Sequence, residues 1–165
     1  MNHTLIPQKQ GGPDDYQTPV IAINCLLPYL PKNITIWECS AGKGNLVEAF
    51  KEKGYNVVYS DKEFDFLTNF KECDVIITNP PFSKKFQFLN RCFELNKPFA
   101  LLVPLTILEG KKRGALLRDK HIQLIIPNKR FNFETPDGKT SGSWFQTMWL
   151  TYGLNIKNDI NFVDV

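Results

Sequence analysis

A mostly parallel β-sheet with helices on both faces, closed by a strand that returns antiparallel, is the fold this 165-residue sequence predicts. Three observations predict it. Short β-branched runs alternate with amphipathic segments. The first of those runs leads straight into a glycine-containing turn and a helix. The β-rich run 144–152 follows the turn signature Thr135-Pro-Asp-Gly138. The length suits about one domain. With 42% hydrophobic and 22% charged residues, the chain is composed like an ordinary globular protein.

The elements follow in order. Residues 1–15 lack hydrophobic periodicity and read as a flexible arm, leaving 16–165 as the domain. Thr18 is placed to cap a helix with Pro19 at its first position, and Val20, Ile21, Ile23, Asn24 and Leu27 recur at helical spacing. The apolar stretch 19–31 is too short to span a bilayer and reads as a buried helix. Residues 34–37 form the first strand, 45–53 a helix stopped by Gly54, 56–59 the second strand and 74–78 the third. A helix over 84–95 turns Phe86, Leu89, Cys92 and Phe93 to one face; 99–103 is a strand, 111–120 a helix and 123–126 a strand. Only three residues separate Asp61 from Asp65, so the fold is trimmed after its second strand.

Twenty basic against 17 acidic residues leave a net charge of +3, too small by itself to identify a nucleic-acid partner. Cys25, Cys39, Cys73 and Cys92 are widely spaced and only His3 and His121 could join them, so no metal site is expected and the thiols read as reduced packing residues. Cys39, in the glycine turn, is the one that stands near chemistry. The N-terminus carries no basic leader followed by an apolar run, which suggests a cytoplasmic, reducing home and no membrane partner. Oligomeric state stays open between monomer and homodimer.

The first strand enters Glu38-Cys-Ser-Ala-Gly42-Lys-Gly44, and Asp61 ends the second strand about twenty residues on. Glycines let the backbone pass close to a ligand, and a carboxylate at the second strand's tip accepts from both ribose hydroxyls. Val47 holds the place of a third glycine, so a pyrophosphate is not specifically prepared for and a nucleoside without phosphates fits better. An ordinary strand-to-helix turn explains the glycines too.

The third strand ends in Asn79-Pro80-Pro81-Phe82. Two prolines fix two φ angles and remove two N–H donors, which makes a stiff corner offering the Asn79 side chain and the Pro80 carbonyl as acceptors. A ring amine is a poor nucleophile because its lone pair is delocalised. Accepting both of its N–H protons draws that nitrogen toward a tetrahedral, nucleophilic state. Asn takes up no proton at neutral pH, so such a corner works by orientation and electrostatics on an electrophile that is already strong. Phe82 offers a flat face for stacking.

With these parts the sequence resembles the class I S-adenosylmethionine-dependent methyltransferases, and among them the DNA adenine-N6 enzymes whose signature is Asp/Asn-Pro-Pro-Tyr/Phe. The order matches over most of the chain: Tyr16-Gln17-Thr18-Pro19, Glu38 to Gly44, Asp61, Asp65-Phe66, Asn79 to Phe82. Short phage-type orphan enzymes are similar in length and layout. The resemblance implies a three-layer Rossmann-like fold and S-adenosylmethionine as cofactor. It implies that Gln17, Thr18, Pro19, Gly42 and Gly44 hold the methionine moiety, with Glu38 near its ammonium group and Ser40, Ala41 and Asn79 alongside. Asp61 would hold the ribose, Asp65 the adenine amine, and Phe66 would lie against the adenine ring. Asn79, Pro80, Pro81 and Phe82 would be catalytic. Thr18-Pro19 serves equally as a helix start, and Asp65 as a solvated loop carboxylate.

Ligands of an open parallel sheet bind beyond the carboxyl ends of its strands. Lys84 and Lys85, then Lys111, Lys112 and Arg113, then Lys129 and Arg130 all follow such ends, with Lys139 further on; together they would form a cationic rim suited to phosphates. Solvated helix starts are the alternative. DNA with a flipped adenine is the expected acceptor, with RNA adenine as rival. Glutamine methyltransferases resemble Tyr-containing corners attached to a helical recognition region, and cytosine amino methylation a Ser-Pro-Pro corner. A cofactor-binding partner subunit without activity is the reading from a different class. No large recognition domain is expected; the stretch 131–144, with Asn132, Glu134, Thr135, Asp137, Lys139, Thr140 and Ser141, is the candidate reader, and Trp144 and Phe145 either frame the base or pack in the core.

Overall fold

Alternating side chains along the strands give one sheet two apolar faces, and each face is covered. The computed structural model describes residues 14, 16–134, 140–141 and 146–165. Strands β1 (Thr35–Glu38), β2 (Asn56–Tyr59), β3 (Val75–Thr78), β4 (Phe99–Pro104), β5 (Ile122–Pro127), β8 (Thr147–Tyr152) and β9 (Ile160–Val163) form a seven-stranded sheet in the order β2-β1-β3-β4-β8-β5-β9. All are parallel except β8, which runs antiparallel between β4 and β5. A short antiparallel pair, β6 (Phe133–Glu134) and β7 (Thr140–Ser141), stands apart from the sheet.

On one face Ile36, Val75, Ile77, Ala100, Leu102, Ile125 and Trp149 pack with Ala22, Ile23, Leu46, Ala49 and Phe50, which come from α1 (Ile21–Asn24) and α2 (Asn45–Glu52). On the other, Trp37, Ile76, Phe99, Leu101, Val103, Met148 and Leu150 pack with Phe88, Leu89 and Cys92 of α3 (Lys85–Leu95) and Leu117 of α4 (Lys111–Leu117). This is the three-layer arrangement that strict period-2 alternation in strands buried on both sides demands. Among the described residues no helix is long and apolar enough to cross a membrane.

Several elements differ from expectation. The stretch 19–31 is not one helix: α1 ends at Asn24 and a 3₁₀ turn, Leu27–Tyr29, follows. Pro28 explains the break, because its ring collides with the carbonyl four residues back and it has no N–H to give it. Thr18 is not the cap; Val20 stands there in helical conformation and no side chain caps the turn. β1 is shifted by one residue, α3 starts at Lys85 after a 3₁₀ turn at Phe82–Lys84, and α4 stops at Leu117. With α3 set in this way Phe88 is buried in place of Phe86. Phe93 packs edge-on against Phe99 at 5.1 Å and Tyr152 at 5.2 Å.

The strand expected over 144–152 begins at Thr147, and it is not the last, because β9 adds a parallel edge beside β5. Between β2 and β3 the chain makes only turns, as the trimmed layout requires. The arm up to residue 13, the turn 135–138, Lys139, Trp144 and Phe145 lie outside the described residues.

One hydrogen bond fastens the start of the chain to the middle of the sheet. The fully buried Trp149 donates through Nε1 to the Ala22 carbonyl at 2.8 Å. Trp149→Phe removes the stronger donor to that carbonyl, leaving it the weak Cys25 thiol at 3.0 Å, and opens a small void, so it should destabilise the fold by about 1–3 kcal/mol, read from the urea midpoint. An unchanged midpoint would show that α1 is held by its apolar contacts alone.

Candidate functional site

In the order β2-β1-β3, the connection from β1 runs one way across the sheet and that from β3 the other. The gap between β1 and β3 is therefore the switch point of the topology, where strand ends diverge and leave a crevice. A cleft of about 220 Å³ sits there, at the carboxyl ends. Glu38 ends β1, Asp61 follows β2, and Asn79 follows β3; all three line it.

Glu38 is 1% exposed. Its Oε1 accepts from the Thr78 hydroxyl and, at 2.9 Å, from the Ser40 amide. Burial pushes its carboxyl up from the ordinary 4.5 to about 8; the Thr78 and Ser40 hydrogen bonds oppose the shift, and the Asp61 charge adds to it. The turn after β1 is laced to both neighbours. Ala41 N–H donates to the Ser60 carbonyl at 3.0 Å beyond β2, and the Ser40 hydroxyl to the Asn79 carbonyl at 2.9 Å beyond β3.

Gly42 and Gly44 have φ of +53° and +88°, the left-handed region that side chains disfavour. At Gly42 a second reason appears, since an added Cβ would lie 2.9 Å from Gln17 Nε2. At Gly44 nothing is within 4 Å, and the reason is φ alone, at the N-cap of α2.

The segment before α1 is part of the site. Gln17 Oε1 accepts from the Lys43 amide at 3.0 Å. Thr18 spends its hydroxyl on Asn79, accepting from Nδ2 at 2.9 Å, and this replaces the capping role expected of it. The bond orients the Asn79 carboxamide. Among the described residues Oδ1 is left buried without a hydrogen-bond partner. Asp14, from the arm, accepts from both the amide and the hydroxyl of Ser83, just beyond the corner.

Of the expected cofactor residues, Gln17, Thr18, Glu38, Ser40, Ala41, Gly42, Asp61, Asp65, Phe66 and Asn79 line the cleft together; Pro19 and Gly44 do not. Asp65 also caps its own turn, accepting from the Leu67 amide at 3.0 Å. Phe66 is 2% exposed and wedged between Trp37 and Phe88, at 5.2 Å and 4.8 Å, so only its rim faces the cleft. At the corner Pro81 lines the cleft, while Pro80 is buried and Phe82 turns its ring to Phe133 at 6.1 Å. Thr78, the partner of Glu38, was not singled out from the sequence; a hydroxyl beside the acidic tip of the neighbouring parallel strand is the signal for it.

β3, β4 and β5 do end on the same side, and Lys84, Lys111, Lys112, Lys129 and Arg130 are exposed beyond those ends. Lys85 instead donates to the Phe82 carbonyl at 3.0 Å, and Arg113 to the Glu109 carbonyl. Among the described residues no group of three or more His, Cys, Asp and Glu could hold a metal. All four cysteines are free and buried, and burial pushes the Cys39 thiol well up, which makes it a poor nucleophile.

No protein-family model and no curated protein matches the chain. Solved structures do. A protein of Listeria monocytogenes, named a candidate class I S-adenosylmethionine-dependent methyltransferase, superposes with a TM-score of 0.61 at 14% identity, over 95% of this chain and 68% of that one. A Pyrococcus horikoshii protein, named a candidate RNA methyltransferase, gives 0.50 at 13% identity, over 86% of this chain and 88% of that one. The chain has the Rossmann-like fold of these structures.

Glu38 makes a pH-dependent contribution whose sign is fixed. Between pH 4.5 and about 8 the folded chain holds a proton here that the unfolded chain has lost, so stability falls as pH rises through that window. Glu38→Gln keeps an acceptor for Thr78 and Ser40 but cannot titrate. Wild type should lose stability relative to this variant by up to about 1.4 kcal/mol per pH unit, measured by denaturant unfolding at pH 5 to 8. A difference constant with pH would show Glu38 ionised throughout.

Proposed function

We propose that this chain transfers a methyl group from S-adenosylmethionine to the exocyclic N6 amine of adenine in DNA. The observation that carries the reading is the Asn79 carboxamide at the tip of β3, oriented by Thr18 and left with an acceptor oxygen that no described residue satisfies. An amine hydrogen is the partner such an oxygen lacks.

The donor set fits the cofactor. When bound, S-adenosylmethionine supplies a sulfonium-activated methyl group. Glu38, buried and protonated when nothing cationic is near, would ionise opposite an ammonium group. Asp61 would accept from the ribose hydroxyls, and Asp65 and the rim of Phe66 would meet the adenine. Gln17, Thr18 and the backbone of Ser40, Ala41 and Gly42 would hold the methionine end. Asn79 and the Pro80 carbonyl would accept the two N–H bonds of the target amine, holding its lone pair toward the methyl group; neither takes up a proton. Phe82 would stack on the base.

The acceptor side rests on the lysines and arginine beyond β3, β4 and β5, and on the β6–β7 pair, with no separate recognition domain in 16–165. Incubation with tritiated S-adenosylmethionine and separate DNA, RNA and protein pools should label DNA at N6 of adenine. Label in RNA alone would move the acceptor, and cofactor binding without label would make the chain a partner subunit.

Asn79→Ala should lower turnover by about two to three orders of magnitude with cofactor affinity changed only a few-fold, as for one lost electrostatic contact. Near-normal turnover would remove Asn79 from the mechanism. Because the candidate reader is short, methylation should occur in a short or relaxed context, mapped by single-molecule sequencing of methylated plasmid. Modification confined to one motif of about five or more base pairs would mean that a recognition element has been missed.

A further inference from the structure

Gln17 touches two parts of the molecule that its role in the cofactor cleft does not require it to join. It is 7% exposed. Its side chain belongs to the glycine turn: Oε1 accepts from the Lys43 amide at 3.0 Å, and the carboxamide lies against Gly42 so closely that a Cβ there would sit 2.9 Å from Nε2. Its backbone belongs to β6. Gln17 N–H donates to the Glu134 carbonyl at 2.9 Å, and Glu134 N–H returns the bond to the Gln17 carbonyl at 3.1 Å, an isolated antiparallel bridge. Glu134 follows Phe133, whose buried ring meets the ring of Phe82 at the corner.

A loop gripped through a side chain and a strand gripped through the backbone of the same residue cannot move independently. We infer that Gln17 is a positioning residue that couples the glycine turn to the β6–β7 hairpin, so that cofactor in the cleft tightens the hairpin against the catalytic corner and raises affinity for the acceptor. This rests on the proposed cofactor site and adds an order to it. By linkage the coupling is reciprocal: acceptor bound at the hairpin strengthens cofactor binding by the same factor.

The two bonds separate cleanly by mutation. Gln17→Ala removes the grip on Lys43 and Gly42 and keeps the backbone bridge to Glu134. Gln17→Glu keeps an acceptor for the Lys43 amide. Amide hydrogen exchange at Glu134 is the readout, with and without saturating S-adenosylmethionine, on the full chain of each variant after thermal melts show it folded.

In wild type the cofactor should slow Glu134 exchange roughly fivefold or more, the lower end of usual coupling strengths. In Gln17→Ala, at cofactor concentrations raised to saturation, the slowing should vanish, and KM for the acceptor should rise more than kcat falls. Gln17→Glu should restore the protection. Cofactor bound to wild type with no change at Glu134, or equal protection in Gln17→Ala, overturns the coupling and leaves the proposed function standing. Absence of any cofactor binding to wild type overturns both.

Discussion

One carboxyl group, shut away from water at the sheet's switch point, determines how the rest of the cleft is arranged. Glu38 stands at the end of β1, 1% exposed, and its Oε1 collects the Thr78 hydroxyl from β3 and the Ser40 amide from its own turn. An ionised carboxyl so placed would be costly, and two hydrogen bonds do not outweigh the burial, so the group keeps its proton to about pH 8. The neutral form is tolerable only while those donors stay in register. The tips of β1 and β3 are therefore tied across the gap that topology would otherwise leave open, and the tie from Ser40 to the Asn79 carbonyl doubles it.

The second constraint comes from outside the sheet. Two consecutive residues, Gln17 and Thr18, reach the glycine turn, β6, α2 and the corner: Gln17 through Lys43 and Glu134, Thr18 through Asn79 and, from its carbonyl, the Asn45 side chain at 3.5 Å. Both are buried polar residues that an apolar core would not tolerate unpaired. Their pairing, with the bond from Trp149 to Ala22, brings the start of the described chain against the sheet's carboxyl edge. A residue placed there for a local reason, such as a helix cap, would leave Asn79 free to rotate.

The sheet was legible because β3 and β4, where every residue is buried, read as short unbroken apolar runs, and because Gly54 and the double proline punctuate the chain. Glu38, Asp61 and Asn79 were legible because strand tips are where such sheets put ligands, whereas Gln17, Thr18, Asp65 and Phe66 were implied only by the family resemblance. What was not legible came from contacts distant in sequence. Thr18 and Pro19 satisfy the rules for a helix start, and only Asn79, 61 residues on, shows that the hydroxyl is engaged elsewhere. β9 is four residues, Ile160–Val163, with one face exposed; a single strand so short and polar-flanked carries little periodicity, and its pairing with β5 is a tertiary fact. Pro28 was visible, and its effect on the stretch 19–31 follows from sterics alone.

The unsatisfied oxygen of Asn79 has to be weighed against others. Among the described residues Tyr55 OH, Gln123 Oε1 and Thr147 Oγ1 are also buried without hydrogen-bond partners, so an orphaned atom is not in itself a sign of chemistry. Location separates them: Asn79 lines the cleft, and the other three do not. Leaving an acceptor unpaired costs about 1–3 kcal/mol, and its neighbour Thr18 could remove the cost by donating to it instead of accepting from Nδ2. The arrangement observed keeps the carboxamide oriented by its nitrogen and its oxygen unused. Pro80 is buried and Phe82 is engaged with Phe133, so of the four corner residues only Asn79 presents a polar side chain to the cleft.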